Sequence, residues 1–184
     1  MDEKIQIIKD ICLKETSTNP IDIARKIMDQ PGISIHGPEH HILDGSAFLT
    51  AMHNAGVPFD LSSALDEMVV RGLKMPGATC GQWGICGSSA SLGAALAIIH
   101  ETGPLSDNEY YKDNLIYTSK ALNKIGQIGG PRCCKRNAFL SILSAIEFVK
   151  DRYDIELEKS PIQCHYSHSN KQCIQKRCPF YKEK

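Results

Sequence analysis

Apolar residues recur at helical spacing along most of the chain. Ile5, Ile8, Ile11 and Cys12 share one face of a helix over residues 2–14, with Cys12 reading as a small core residue. Asn19-Pro20 supplies an N-cap and a first-turn proline. Ile21, Ala24, Ile27 and Met28 then continue the apolar face until Gln30-Pro31-Gly32 breaks it. A third helix is expected over residues 39–55, ended by Asn54-Ala55-Gly56. Asp60 or Ser63 caps a fourth, whose core face is Leu61, Ala64, Leu65, Met68 and Val69. Residues 73–85, LKMPGATCGQWGI, read as a glycine-rich loop.

A fifth helix runs from about Cys86 to Glu101 and is small or apolar on nearly every face. That marks it as the buried central helix, closely approached through Gly87 and Gly93. Gly103-Pro104 ends it. Ser106 and Glu109 have the spacing of a capping box for a helix reaching about Ile125. Pro131 fits the first turn of a last long helix, with Phe139, Ile142, Leu143, Ile146 and Val149 on its core face. Strand signals are almost absent. The expected fold is all-α. A compact multi-helix bundle takes residues 1–153, and an irregular cysteine-rich segment, residues 154–184, packs on the same domain.

Composition narrows the function. Twenty-one basic and 21 acidic residues give zero net charge, which argues against nucleic-acid or polybasic membrane binding. Hydrophobic residues at 42% and charged residues at 23% are ordinary globular values, so disorder is not expected. The longest near-apolar stretch, Ala90 to Ile99, falls short of the roughly 18 residues a membrane span requires. The acidic, mixed start MDEKIQIIKD is unlike a signal peptide, so a cytoplasmic setting is expected. There is no GxGxxG after a strand, no P-loop, no G-x-S-x-G and no HExxH.

Eight cysteines change the picture. A disulfide framework suits small secreted chains, and the adjacent pair Cys133-Cys134 could bridge only with strain. Metal or redox cysteines fit better. In PGATCGQWGICG, residues 76–87, Cys80 and Cys86 flank a glycine-rich turn and Cys86 opens a helix, whose positive end is expected to lower its pKa. Trp83 reads as a packing anchor. In GGPRCCKRN, residues 129–137, Cys133 and Cys134 start a helix among Arg132, Lys135 and Arg136, again favouring thiolate. Neighbours on a helix point about 100° apart, so one thiol can ligate a metal while the other reacts or packs.

The tail CHYSHSNKQCIQKRCPFY carries Cys164, Cys173 and Cys178 in a polar segment that metal coordination would help to fold. A fourth ligand would come from Cys133, Cys134, His165 or His168. In HGPEHH, residues 36–41, His40 and His41 stand beside Glu39 and suit metal binding or proton transfer, a surface histidine cluster being the alternative. His100 reads as a helix-end dipole partner.

Together, HGPEHH, PGATCGQWGICG, GGPRCCKRN and the terminal C…C…CPF resemble an uncharacterised family of cysteine-rich domains of methanogens and other anaerobes. Its members are free-standing or attached to SAM-dependent methyltransferase-like domains. The resemblance spans roughly residues 30–181 and implies an oxygen-poor cytoplasm, but no particular activity.

The expectation is a thiolate-ligated metal protein, an iron–sulfur cluster being favoured and zinc the alternative, acting in redox or sulfur-transfer chemistry. Cys164, Cys173 and Cys178 would bind the metal with Cys133 or Cys134, and Cys80 and Cys86 would face the same cavity, as further ligands or as a redox-active pair. Cys86 and the other member of the 133/134 pair would be reactive, with His40 or His41 moving protons. Arg132 and Arg136 would hold a small anionic substrate. A redox partner or a methyltransferase is the expected protein partner. The competing reading is a non-enzymatic zinc module serving as an adaptor.

Overall fold

The computed structural model describes residues 1–183. Eight α-helices follow one another among them: α1 (Asp2–Lys14), α2 (Pro20–Met28), α3 (His40–Asn54), α4 (Leu61–Lys74), α5 (Thr79–Gln82), α6 (Gly87–Ile99), α7 (Glu109–Ile128) and α8 (Cys134–Tyr153). Among the described residues the only β-type pairing is an isolated parallel bridge between Cys164 and Tyr181. No described helix is long and apolar enough to cross a membrane. The fold is all-α, as the periodicity predicts.

The helix starts follow local chemistry. Asn19 Oδ1 accepts the N–H groups of Ile21 and Asp22, and Pro20 fills the first position of α2. Asp60 accepts from Ser63 N–H at 2.7 Å to open α4. The start of α7 differs from expectation. Asn108, not Ser106, is its N-cap and accepts from Tyr110 and Tyr111, while Ser106 Oγ accepts from Gly103 N–H and closes the preceding turn. Asn is as good a cap as Ser, and it stands one residue before the first helical turn. The loop at 73–85 contains a single helical turn, α5.

Helix α6 is the centre of the bundle, packed against α3, α4, α7 and α8. Small residues set its distances. A Cβ on Gly93 would stand 2.3 Å from Thr118 Oγ1 of α7. Its closest partner is α3. Ser91 Oγ donates to the His41 carbonyl at 2.7 Å and accepts from Gly45 N–H at 2.9 Å, so one hydroxyl engages both ends of an α3 rung. Gly45 makes that approach possible, since a Cβ there would lie 2.8 Å from the Ser91 carbonyl oxygen.

Tyr117 is fully buried and donates to the Ser141 carbonyl, tying α7 to α8. Cys12 lies in the core as expected. Two aromatic positions depart from expectation. Trp83 is 62% exposed, because the loop that carries it turns its ring outward. His100 is not a charged dipole partner. It stacks on Tyr110 at 4.0 Å, and burial pushes its pKa down.

The segment after α8 folds back over α8 and the end of α2. Phe180 is buried edge-on against Phe139, and Cys164 N–H donates to the Phe180 carbonyl at 2.7 Å. Ser160 Oγ and Tyr166 OH donate to Asp22 and Asp29 of the α2 region.

Replacing Gly45 by Ala forces α3 and α6 apart and is expected to destabilise the fold by about 1–3 kcal/mol in denaturant unfolding. Gly126→Ala, in open space on α7, is expected to stabilise by roughly 0.5–1 kcal/mol. Equal effects of the two would contradict this account of α3–α6 packing.

Candidate functional site

Apart from Cys12, the cysteines divide between two cavities. Cys133, Cys164, Cys173 and Cys178 line a narrow, apolar-walled one between α8 and the tail. Cys80, Cys86 and Cys134 line a larger one with His36, His40 and His41, a space of about 770 Å³ counted to its open mouth. The expectation that Cys80 and Cys86 share the tail cavity is therefore corrected: α5 and the start of α6 hold them on the other side of the α8 N-terminus.

Cys133 and Cys134 separate because only one of them is helical. Cys133 is the N-cap, extended at φ −143° and ψ 107°, and Cys134 is the first helical residue. Pro131 accordingly lies in the approach to α8 and not in its first turn. Of the fourth-ligand candidates, Cys133 lines the tail cavity. His165 instead points to Asp29, with Nε2 at 2.8 Å from its carboxylate.

In the tail cavity the sulfurs accept backbone N–H groups in a repeated local pattern. Cys133 accepts from Lys135 and Arg136, Cys164 from Tyr166, and Cys173 from Gln175 at 3.4 Å. Three of the four thus receive an N–H from two residues onward, which suits a sulfur carrying negative charge. Asn170 Nδ2 adds a contact to Cys133 Sγ at 3.6 Å. Burial pushes Cys133 up, and burial followed by the neighbouring Cys133, Cys178 and Cys173 pushes Cys164 up against the Tyr166 N–H.

The expected acidification at helix starts also fails on the other side. Burial lifts Cys134 to about 11 despite an N–H from Gly37, and it lifts Cys86 despite Asn137 and the N–H groups of Ser88 and Ser89. Loss of water outweighs the helix end at these positions. Among the described residues, no three His, Cys, Asp or Glu side chains stand close enough to hold a single metal ion.

Two cations border the tail cavity, and both are buried: Lys135 is 2% exposed and Arg136 is 4% exposed. Lys135 Nζ donates to the Met28 carbonyl at 2.8 Å and lies 4.4 Å from the Tyr166 ring centre. Arg136 donates to the carbonyls of Gly129 and Pro131 and to Asn137 Oδ1. Neither forms a salt bridge with a carboxylate among the described residues. Burial pushes Lys135 down.

The second cavity is organised by its histidines. His41 Nδ1 lies 3.1 Å from the Met75 carbonyl, which can only accept, so Nδ1 carries the proton and Nε2 the lone pair. The ring lies against Gly87, where a Cβ would stand 2.2 Å from Nε2, and the preceding residue, Cys86, lines the same cavity. Burial lowers the His41 pKa and keeps the ring neutral. His40 is spanned between Asp44 Oδ1 and the Ser34 carbonyl, each at 3.3 Å, and has no free nitrogen for proton transfer. Arg132 is exposed at the rim, whereas Arg136 is engaged with backbone and with Asn137. Of the two expected anion-binding arginines, only Arg132 is open to a ligand.

Several contributors had no sequence signal. Lys4 reaches Glu39 Oε1 at 2.7 Å across 35 positions, and Ser34 N–H joins it at 2.9 Å. Glu39 thereby folds the HGPEHH turn, including the Gly37 N–H that meets Cys134. Asn137 donates to Cys86 Sγ at 3.3 Å. Its position one residue after Arg136, in a motif rich in cysteines and cations, was the available hint.

The arrangement defines an all-α protein with a four-thiol cavity and an adjoining thiol–imidazole cavity, their walls meeting at one helix start. The chain belongs to a family of unknown function, DUF5714, whose model matches residues 8–181. Neither the curated proteins nor the solved structures contain a match.

Glu39 supplies a pH test. Burial opposes its ionisation, but the Lys4 ammonium and the Ser34 N–H overcome that and hold its pKa at about 2, below the ordinary 4.5. Its stabilising effect is full above that ordinary value and disappears as the pH falls through about 2. Glu39→Gln is expected to remove on the order of 2 kcal/mol at neutral pH and to flatten acid unfolding in this window. An unchanged acid limb in far-UV circular dichroism would rule out the linkage.

Proposed function

We propose that Cys133, Cys164, Cys173 and Cys178 ligate an iron–sulfur cluster and that the protein works in redox chemistry. The observation that carries this reading is charge. Lys135 and Arg136 are buried beside four thiols, with no carboxylate ion pair. Buried cations without a counter-charge are costly. Four thiolates around a metal group carry net negative charge and remove that cost, whereas four neutral thiols do not. Metal binding also resolves the raised thiol pKa values, because a coordinating thiol is deprotonated.

The four thiols do not converge on a single ion. A tetrahedral zinc site with Zn–S of ~2.3 Å draws its sulfurs to about 3.8 Å from one another. The four sulfurs here line a shared space without such a convergence. A cluster spreads its ligands around a larger core. The N–H groups on three of the sulfurs are of the kind that tunes cluster potential.

The surroundings suit exchange with a partner. Cys173 and Cys178 are half-buried, and Lys171, Arg177 and Lys182 are exposed near them in the chain, with Lys176 paired to Glu183, a basic rim for an acidic redox protein or methyltransferase. An oxygen-poor setting accords with such a site.

Anaerobic purification with iron and acid-labile sulfide analysis tests the reading. The native protein is expected to carry iron with matching sulfide. Cys133→Ser, Cys164→Ser, Cys173→Ser and Cys178→Ser should each lose most of it, and Cys134→Ser and Cys80→Ser should keep it. Zinc without sulfide, or equal loss in Cys134→Ser, would overturn the assignment.

A further inference from the structure

The geometry points to a second, separate site. We propose that Cys86 is a nucleophile activated by His41 in the second cavity, and that its substrate is a small electrophile bearing a carboxylate or similar oxyanion held by Arg132. The inference stands beside the tail-site reading and does not depend on it.

The argument begins with His41. It is only 7% exposed and lines the cavity, and its Nδ1–H is committed to the Met75 carbonyl. The lone pair is thereby fixed on Nε2, which makes no hydrogen bond among the described residues and lies against Gly87. Cys86 lines the same cavity, and a thiol that shares a cavity with a base oriented by a third group is suited to covalent catalysis. The third group here is a backbone carbonyl, which fixes the tautomer without adding charge.

Cys86 is held for the same task. It is the N-cap of α6, and the N–H groups of Ser88 and Ser89 meet its sulfur. Asn137 Nδ2 donates to Sγ at 3.3 Å, with its amide oriented by Arg136 Nε on Oδ1. Arg136 is therefore a positioning residue, acting through Asn137. These donors receive the negative charge that develops on sulfur as the proton leaves. The other titratable or charged groups around the pair are Asp44, Glu39, His36, His40, Cys80, Cys134 and Arg132.

Arg132 sets the substrate class. Its guanidinium is exposed at the mouth, and it also borders the adjoining cavity floored by Gly126, Gly129 and Gly130, which Cys86 lines from the other side. Arg132 and Cys86 thus line both cavities, and an anion in either one has that cation within its walls. In the step itself, the Cys86 proton passes to His41 Nε2 and sulfur attacks the electrophilic atom. A new bond to sulfur forms, and the leaving group departs with the electron pair of the broken bond.

Alkylation of the full-length protein, read at Cys86 by peptide mapping, tests this with two probes of similar size. With iodoacetate, a carbon–sulfur bond forms and iodide leaves. Iodoacetate is expected to label Cys86 about 10-fold faster than neutral iodoacetamide, equivalent to roughly 1.4 kcal/mol of charge preference. Arg132→Gln should abolish the preference, so that the two reagents label Cys86 at similar rates. His41→Gln should slow both reagents about 100-fold near neutral pH, with the rate recovering only as the pH rises toward ionisation of the thiol itself.

Iodoacetamide labelling as fast as iodoacetate, or Cys86 staying unlabelled while Cys80 and Cys134 react, would overturn the proposal. So would an unchanged pH profile in a folded His41→Gln. The comparison of reagents on the native protein needs no variant. Its readout is independent of iron and sulfide content, so failure here and failure of the tail-site reading are distinguishable.

Discussion

The contact between α3 and α6 is the constraint from which the rest of the site follows. Ser91 reaches into α3 and satisfies the His41 carbonyl and the Gly45 N–H with one hydroxyl. The two helices can meet so closely only because Gly45 has no side chain. That meeting places the His41 ring against Gly87, in the cavity that Cys86 also lines. It also fixes the start of α3, and with it the turn whose Gly37 N–H touches Cys134. Core packing and site geometry are here the same set of contacts, since the residues that bring the helices together stand within a turn of those that face the cavity.

The electrostatics invert a simple expectation. Cysteines at helix starts among cations are ordinarily acidified, yet burial raises Cys86, Cys133 and Cys134 alike. The fold accordingly favours the protonated form of these three thiols until something arrives to take the proton. In the tail cavity that role suits a metal group, whose negative ligand shell would complement Lys135 and Arg136. In the second cavity it suits His41, held neutral with its lone pair on Nε2. One chemistry, a buried thiol awaiting deprotonation, is thus offered to two different acceptors.

Much of the fold was legible in the chain. The 3.6-residue rhythm located the seven longer helices, the small-residue run at 86–101 marked the central one, and Cys12 read correctly as core. What periodicity does not encode is the conformation of single residues where helices begin. Whether Cys133 or Cys134 faced the tail turned on one extended φ/ψ pair, set by the chain's approach to α8. The choice between His40 and His41 depended on the carbonyls of Ser34 and Met75, 6 and 34 positions away. Lys4 could not be joined to Glu39 by any local pattern. Trp83 misled because large aromatics usually pack, and the glycines around it let the loop turn the ring outward.

The divergence of Cys133 and Cys134 has a consequence for how the molecule can vary. The two cavities are joined through one peptide unit, with Cα atoms about 3.8 Å apart. An insertion, a deletion or a one-residue slip of α8 at this point would withdraw a sulfur from one cavity or from both. The two sites therefore share a single register along the chain and cannot be repositioned independently. Sequence drift in the surrounding helices is tolerable so long as the junction between an extended cap and a first helical turn stays where it is.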